Sequence, residues 1–145
     1  MSNIAIFHLA IPITDILLAK QFYENGLGCK VGRENKSAVI FDFYGTQLVG
    51  HLTQQTLLRQ NGIYPRHLGL ILPTKLDWQE ISDRASKKSL TFEQQPKLRF
   101  PQQQVEHYSF FLEDPFYNLL EFKYYSYPEV IFGGQKSNLI GDTDS

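Results

Sequence analysis

The pattern of apolar and polar residues in the first half of the chain recurs in the second half. The first half opens with the apolar run from Ile4 to Ile13, which predicts a strand. The next segment, DILLAKQFYENGLG, places apolar residues at helical spacing and predicts a helix that begins near Asp15. Three short strand candidates bounded by turn residues complete this half: CKVGRE, SAVIFDFY and TQLVGHL.

The second half repeats this order of a strand, a helix and three strands. RHLGLIL predicts a strand, and Thr74 to Asp77 resembles a capping box ahead of a helically spaced apolar segment. Three further strand candidates follow: LTFEQQP, VEHYSFFL and NLLEFKYY. A repeated unit of this kind predicts one domain over residues 1–128, with modules at about 1–60 and 61–128. Residues 129–145 are expected to form a C-terminal tail.

Composition narrows the class of partner. The chain has 145 residues, a formal net charge of −1 and 42% hydrophobic residues, and it has no basic block. Nucleic acid and a membrane surface are therefore not expected as partners, and no apolar run reaches the roughly 20 residues of a membrane span. The single cysteine, Cys29, cannot form an internal disulfide, which favours a reducing cytoplasm.

Two histidines occupy the same place in the two repeats, and one glutamate lies in an apolar strand. His8 and His67 each stand at the head of an apolar strand, where a lone histidine is usually a hydrogen-bonded core residue. Glu121 lies among apolar neighbours, although glutamate is almost never buried unless it is paired or ligated. Imidazole and carboxylate groups bind Fe(II), Mn(II), Zn(II), Ni(II) and Co(II). Together, the three residues favour a site for one divalent metal ion.

Two tandem βαβββ modules that each open with a histidine resemble the vicinal oxygen chelate superfamily, which includes glyoxalase I, extradiol dioxygenases and bleomycin resistance proteins. The segment FFLEDPFYNLLEF is similar to the closing hairpin of that family, although the family usually has glycine where this turn has Tyr117. The resemblance implies an α+β fold with a curved mixed sheet around a central cleft. It also implies that pseudo-twofold pairing of the modules brings His8 and His67 together, and that Glu121 completes the metal site.

The resemblance implies a metal-dependent enzyme, a lyase or isomerase or else a dioxygenase. Its small oxygenated organic substrate would chelate the ion. Fold membership does not decide between these reactions. The alternative is a metal-free small-molecule-binding protein of the bleomycin-resistance kind, which would lack the three ligands. Relatives commonly form twofold dimers, so a homodimer is expected.

Two further histidines are candidate catalytic residues. The family often has an additional ligand on the strand that closes the first module. Counting from Gly45 places Val49 at that position, whereas counting from the end of the strand favours His51, which shares a face with Val49. His51 is therefore a fourth ligand, a group that orients a ligand, or a residue that only shares the face. His107 is an acid or base if its strand faces the cavity, and otherwise a partly exposed strand residue.

Overall fold

The two predicted modules form two four-stranded sheets with the same strand order. A computed structural model describes residues 4–134 and 139–141. Module one has the order β1-β4-β3-β2, with strands β1 (His8–Ile13), β2 (Lys30–Glu34), β3 (Ala38–Phe43) and β4 (Thr46–Leu52). Module two has the order β5-β8-β7-β6, with strands β5 (Leu68–Ile71), β6 (Thr91–Arg99), β7 (His107–Glu113) and β8 (Leu119–Tyr125). In each module the first strand pairs in parallel with the last, so the predicted tandem α+β architecture is confirmed.

The helix of module one begins where the sequence predicts. The Asp15 side chain accepts a hydrogen bond of 2.9 Å from the backbone N–H of Leu18 and so caps α1 (Ile16–Lys20). The helix then widens into a π-helical turn over Gln21–Gly26. The apolar spacing of this segment does not distinguish a π turn from a continued α-helix, so the π turn could not be predicted.

The helix of module two, α2 (Lys75–Lys87), confirms the predicted start. The Thr74 hydroxyl accepts a hydrogen bond of 3.0 Å from the backbone N–H of Asp77. On the buried face of this helix, the indole N–H of Trp78 donates to the carbonyl of Phe122 on β8 at 2.8 Å. The helix therefore packs against the sheet of its own module.

The helix-bearing faces of both sheets share one apolar core. The rings of Phe43 and Phe122 meet across the two modules at 6.1 Å between centroids, and Tyr23 donates a hydrogen bond of 2.6 Å to the Asp114 carboxylate. Leu120 and Phe122 are fully buried in this core. Because strand side chains alternate, Glu121 between them lies on the opposite face of its sheet. That opposite face carries the candidate site.

The ends of two predicted segments differ from expectation. The first strand begins at His8 rather than at Ile4. Its partner strand β4 begins at Thr46, so the residues near Ile4 have no residue of β4 to pair with. Ile4 and Ile6 are strongly exposed. At the boundary between the predicted domain and the predicted tail, Pro128–Val130 forms a 3-10 helix. Within that tail, residues 135–138 and 142–145 lie outside the described residues. Within the described ranges, no helix is long and apolar enough to cross a membrane.

Candidate functional site

Glu121 is held in a fixed orientation on the face of β8 that points away from the core. Its side chain is buried, with 5% exposure. The Ser109 hydroxyl on β7 donates a hydrogen bond of 2.6 Å to Oε2. The other carboxylate oxygen, Oε1, lies 3.3 Å from Nε2 of His67. Two of the three predicted metal ligands are therefore in contact.

The backbone fixes the tautomer of His67. Its Nδ1 lies 2.8 Å from the carbonyl oxygen of Ile63, which can only accept a hydrogen bond, so Nδ1 carries the proton. In the neutral ring, Nε2 then presents a lone pair towards the Glu121 carboxylate. Two acceptors in contact need either a proton or a cation between them. A histidine that donates one ring N–H to a backbone carbonyl is also the usual arrangement for a metal ligand, so this pair fits a divalent ion.

Lys123 adds a positive charge beside this pair. Its ammonium group lies 3.7 Å from Oε1 of Glu121 and 3.3 Å from the hydroxyl of Tyr125. His67, Glu121 and Lys123 together line a recess of about 200 Å³ that opens beside β5. The recess therefore combines two candidate ligands with a cation that can attract an anionic group.

His8 lies apart from this pair, on the sheet of module one. It is exposed, and its Nδ1 lies 2.7 Å from Oε1 of Gln47 on β4. Within residues 4–134 and 139–141, no three His, Cys, Asp or Glu side chains converge into a group that could hold a metal ion. One chain therefore brings His67 and Glu121 together and does not bring His8 to them.

Sheet register identifies the position in module one that corresponds to Glu121. Gly69, two residues after the histidine of module two, lies opposite Glu121. Ala10, two residues after the histidine of module one, lies opposite Val49. Val49 thus occupies the corresponding place, as the count from the turn glycine predicts, and its side chain cannot coordinate an ion. This residue is buried, with 7% exposure.

His51 lies two residues beyond Val49 on the same face of β4, at the position that corresponds to Lys123 in module two. Its side chain is exposed, and it lies opposite Pro12 on β1 and Ala38 on β3. The shared face follows the prediction. The role of His51 as a ligand, an orienting group or a catalytic residue stays a prediction.

His107 is more buried than a partly exposed strand residue, so that expectation is wrong. The side chain is 2% exposed, and its ring packs on Tyr125 at 4.8 Å between centroids. It lines a cavity of about 520 Å³ whose outer wall includes residues 130–134 and 139–141. Burial lowers the pKa of this histidine, and the nearby cations Lys123 and Arg99 act in the same direction. The covering C-terminal residues explain the burial, which strand periodicity could not reveal.

The turn before β8 holds Tyr117 in a backbone conformation that favours glycine. The Asp114 carboxylate accepts backbone hydrogen bonds of 2.8 Å each from Phe116 and Asn118. Between them, Tyr117 takes a φ of 66°, the left-handed conformation that glycine adopts most readily. The turn is therefore formed in this chain with tyrosine in the strained position.

Sequence reasoning missed three polar residues that contact the predicted ligands. Gln47 contacts His8, and Ser109 and Lys123 contact Glu121. The available signal was alternation, because Lys123 lies two residues after Glu121 and thus on its face. Ser109 could be found only by knowing which residues of β7 and β8 lie opposite each other.

Comparison with known proteins gives a consistent assignment of fold. The family model described as Glyoxalase/Bleomycin resistance protein/Dioxygenase superfamily matches residues 5–122. A solved structure of a glyoxalase/bleomycin resistance protein/dioxygenase from Alicyclobacillus acidocaldarius is 38% identical. It aligns with a TM-score of 0.84 over 91% of this chain and 100% of that chain. Among curated proteins, none matches this chain.

Two more distant structures share the fold alone. Lactoylglutathione lyase from Agrobacterium tumefaciens is 20% identical with a TM-score of 0.64, over 86% of this chain and 96% of that chain. A fosfomycin resistance protein from Listeria monocytogenes is 15% identical with a TM-score of 0.64, over 89% of this chain and 98% of that chain.

Proposed function

The chain belongs to the glyoxalase/bleomycin resistance protein/dioxygenase superfamily, and we propose that it is a divalent-metal-dependent enzyme acting on a small oxygenated organic substrate. The reaction would be that of a lyase or isomerase, or of a dioxygenase. One observation carries the proposal. Nε2 of His67 and Oε1 of Glu121 lie 3.3 Å apart, and each group is oriented by a hydrogen bond on its far side.

The ion would be held by His67 and Glu121 of one chain and by His8 of a second copy. The donor set of two imidazoles and one carboxylate suits Fe, Mn, Zn, Ni or Co and leaves coordination positions open for substrate. When bound, such an ion supplies a Lewis acid that polarises a substrate oxygen. The Ser109 hydroxyl and the Ile63 carbonyl would hold the two ligands of the same chain in their binding orientations.

The exposure of the face that carries His8 supports the proposal of a homodimer. Ala10 and Pro12, which share this face, are also exposed on β1. Just ahead of the strand, Ile6 is 73% and Phe7 65% exposed. An exposed apolar patch beside an incomplete set of metal ligands is typical of an interface between copies of the chain.

The other histidines take distinct proposed roles in this site. His107 is neutral at pH 7 because burial lowers its pKa, and its free Nε2 is suited to accept a proton from substrate. His51 is exposed at the rim of module one and would contact the outer part of the substrate or orient a neighbour.

The cytoplasm remains the predicted location, on the evidence of the cysteine. Cys29 is free and buried, and burial raises the pKa of its thiol to about 12. The thiol therefore stays protonated at neutral pH and is not a nucleophile for the proposed reaction.

Metal titration of chelator-treated protein tests the proposal. Calorimetry with Zn(II) or Co(II) should show tight binding to the wild type. The variant Glu121→Gln should bind the ion at least about 100-fold more weakly. Loss of a group that only orients a ligand lowers metal affinity by about 10–100-fold, and loss of a direct ligand should lower it more. The matched control Glu93→Gln removes an exposed carboxylate from the same module and should bind like the wild type. Absence of binding in the wild type would favour the metal-free alternative, and unchanged affinity in Glu121→Gln would contradict the site.

A further inference from the structure

A second cavity lies next to the candidate ligand pair, under the C-terminal residues. It measures about 520 Å³ and is bounded on the sheet side by His107, Lys123 and Tyr125. Its outer wall includes residues 130–134 and 139–141. The family match ends at residue 122, so this wall is formed by a part of the chain that the family model does not cover. The volume is in the range of small-molecule pockets.

Two polar groups face this cavity from neighbouring strands. Nδ1 of His107 lies 2.9 Å from the carbonyl of Val105 and so carries the proton, which leaves Nε2 as an acceptor. This Nε2 is buried and has no hydrogen-bond partner within the described part of the chain. A buried acceptor without a partner is costly, and a ligand that donates a hydrogen bond would satisfy it.

The second group is the ammonium of Lys123. His107 lies opposite Tyr125 and Ser109 lies opposite Lys123, so His107 and Lys123 are diagonal neighbours on one face of the sheet. Diagonal neighbours are about 7–8 Å apart at Cα, close enough for one small molecule to reach both side chains. The Lys123 ammonium lines this cavity, and its positive charge can pair with an anion.

We propose that this cavity binds a small hydroxylated carboxylic acid. The ligand's carboxylate would pair with Lys123, its hydroxyl would donate to Nε2 of His107, and its apolar part would pack against Tyr125 and the C-terminal wall. Lys123 also lines the recess that contains His67 and Glu121, so the cavity and the recess share this residue, and we place the acid's carboxylate at this shared point. The inference rests on the proposed function in that it names the substrate class of the same site.

Three related probes separate the two contacts. Mandelate carries both the carboxylate and the hydroxyl, phenylacetate lacks the hydroxyl, and mandelamide lacks the charge. Binding is measured by calorimetry on metal-depleted protein, so that chelation contributes nothing. Phenylacetate should bind about 10-fold and mandelamide about 30-fold more weakly than mandelate, the effects of losing a neutral and a charged hydrogen bond.

Two variants assign these preferences to residues. In His107→Phe, mandelate and phenylacetate should bind equally. In Lys123→Met, both carboxylates should bind about 30-fold more weakly while mandelamide is unchanged. The control Lys30→Met removes an exposed lysine from module one and should leave all three affinities unchanged. Circular dichroism checks that each variant is folded, and Lys123→Met alone decides the test if His107→Phe does not fold.

The outcomes distinguish this inference from the metal proposal. Equal binding of mandelate and phenylacetate to the wild type, or loss of both preferences in Lys30→Met, would overturn the assignment of the cavity. Selective mandelate binding that depends on His107 and Lys123 supports the assignment even if metal titration fails. Metal binding without any such selectivity would leave the proposed metal site intact and reject the hydroxy-acid pocket.

Discussion

The two modules have the same strand order but very different faces on the side away from the core. In module two, Glu121 is buried and contacts both Ser109 and His67. In module one, the position of Glu121 is taken by Val49 and that of Ser109 by Ala38. The two modules therefore share one strand arrangement, but the polar side chains that contact one another on this face lie in module two. Module one offers an exposed histidine instead.

The parallel strand pairs that begin at the two histidines also differ between the modules. At Gly69 the backbones of β5 and β8 approach so closely that an added Cβ would overlap the carbonyl oxygen of Glu121. The corresponding residue of module one is Ala10, which has a side chain and is exposed. The close approach in module two places Glu121 within reach of His67, and only glycine permits it.

Exchanging these small residues should produce the largest difference between the modules. Gly69→Ala forces β5 and β8 apart and should lower the free energy of unfolding by about 3 kcal/mol or more, with loss of metal binding. The matched exchange Ala10→Gly should cost only about 0.5–1 kcal/mol, the usual effect of glycine in a strand. Urea unfolding of both variants measures the difference. Equal costs in the two modules would show that the close approach at Gly69 is not needed.

The hairpin turns that precede β4 and β8 provide the next comparison. The Asp114 carboxylate accepts hydrogen bonds from Tyr23, Phe116 and Asn118 and is buried. Asp42 accepts one, from the backbone N–H of Gly45, and is exposed. Asp114→Ala should therefore destabilise the protein by about 2–3 kcal/mol and Asp42→Ala by about 0.5 kcal/mol, because buried donors are left without acceptors only in module two. Thermal or urea unfolding of both variants measures the two effects. A smaller loss of stability in Asp114→Ala than in Asp42→Ala would contradict this expectation.

The smallest expected effect concerns the hydroxyl that orients Glu121. Ser109→Ala makes module two resemble module one, where Ala38 occupies this position. Metal affinity should fall by about 10-fold, the lower end of the range for groups that orient a ligand. Calorimetric titration of folded Ser109→Ala against the wild type provides the measurement. An unchanged affinity would mean that the strand pairing alone positions the carboxylate.

Much of the fold could be predicted because the signals are local. Periodicity located the strands and α2, and the capping residues Asp15 and Thr74 marked helix starts that the structure confirms. The π-helical turn at Gln21–Gly26 could not be predicted, because its apolar spacing is the same as that of an α-helix that continues. The start of β1 was placed too early because the limit is set by the length of its neighbour, β4.

The site was only partly accessible from sequence for a different reason. The resemblance to the superfamily predicted that His67 and Glu121 share a site, and the two side chains are in contact. The position of His8 depends on how the modules pair, which spacing within one chain does not specify. The burial of His107 depends on residues 130–134 and 139–141, which are distant in sequence from β7. Both failures concern tertiary packing rather than strand pattern.

We propose that one metal site combines His67 and Glu121 of one chain with His8 of another. Complementation tests it most directly. His8→Ala and Glu121→Gln are each expected to lose tight Co(II) binding. When the two variants are co-expressed, random pairing in a twofold dimer should restore tight binding at roughly a quarter of the sites, because each mixed dimer regains one intact set. Tight binding by His8→Ala alone, or no restoration in the mixed sample, would contradict a shared site.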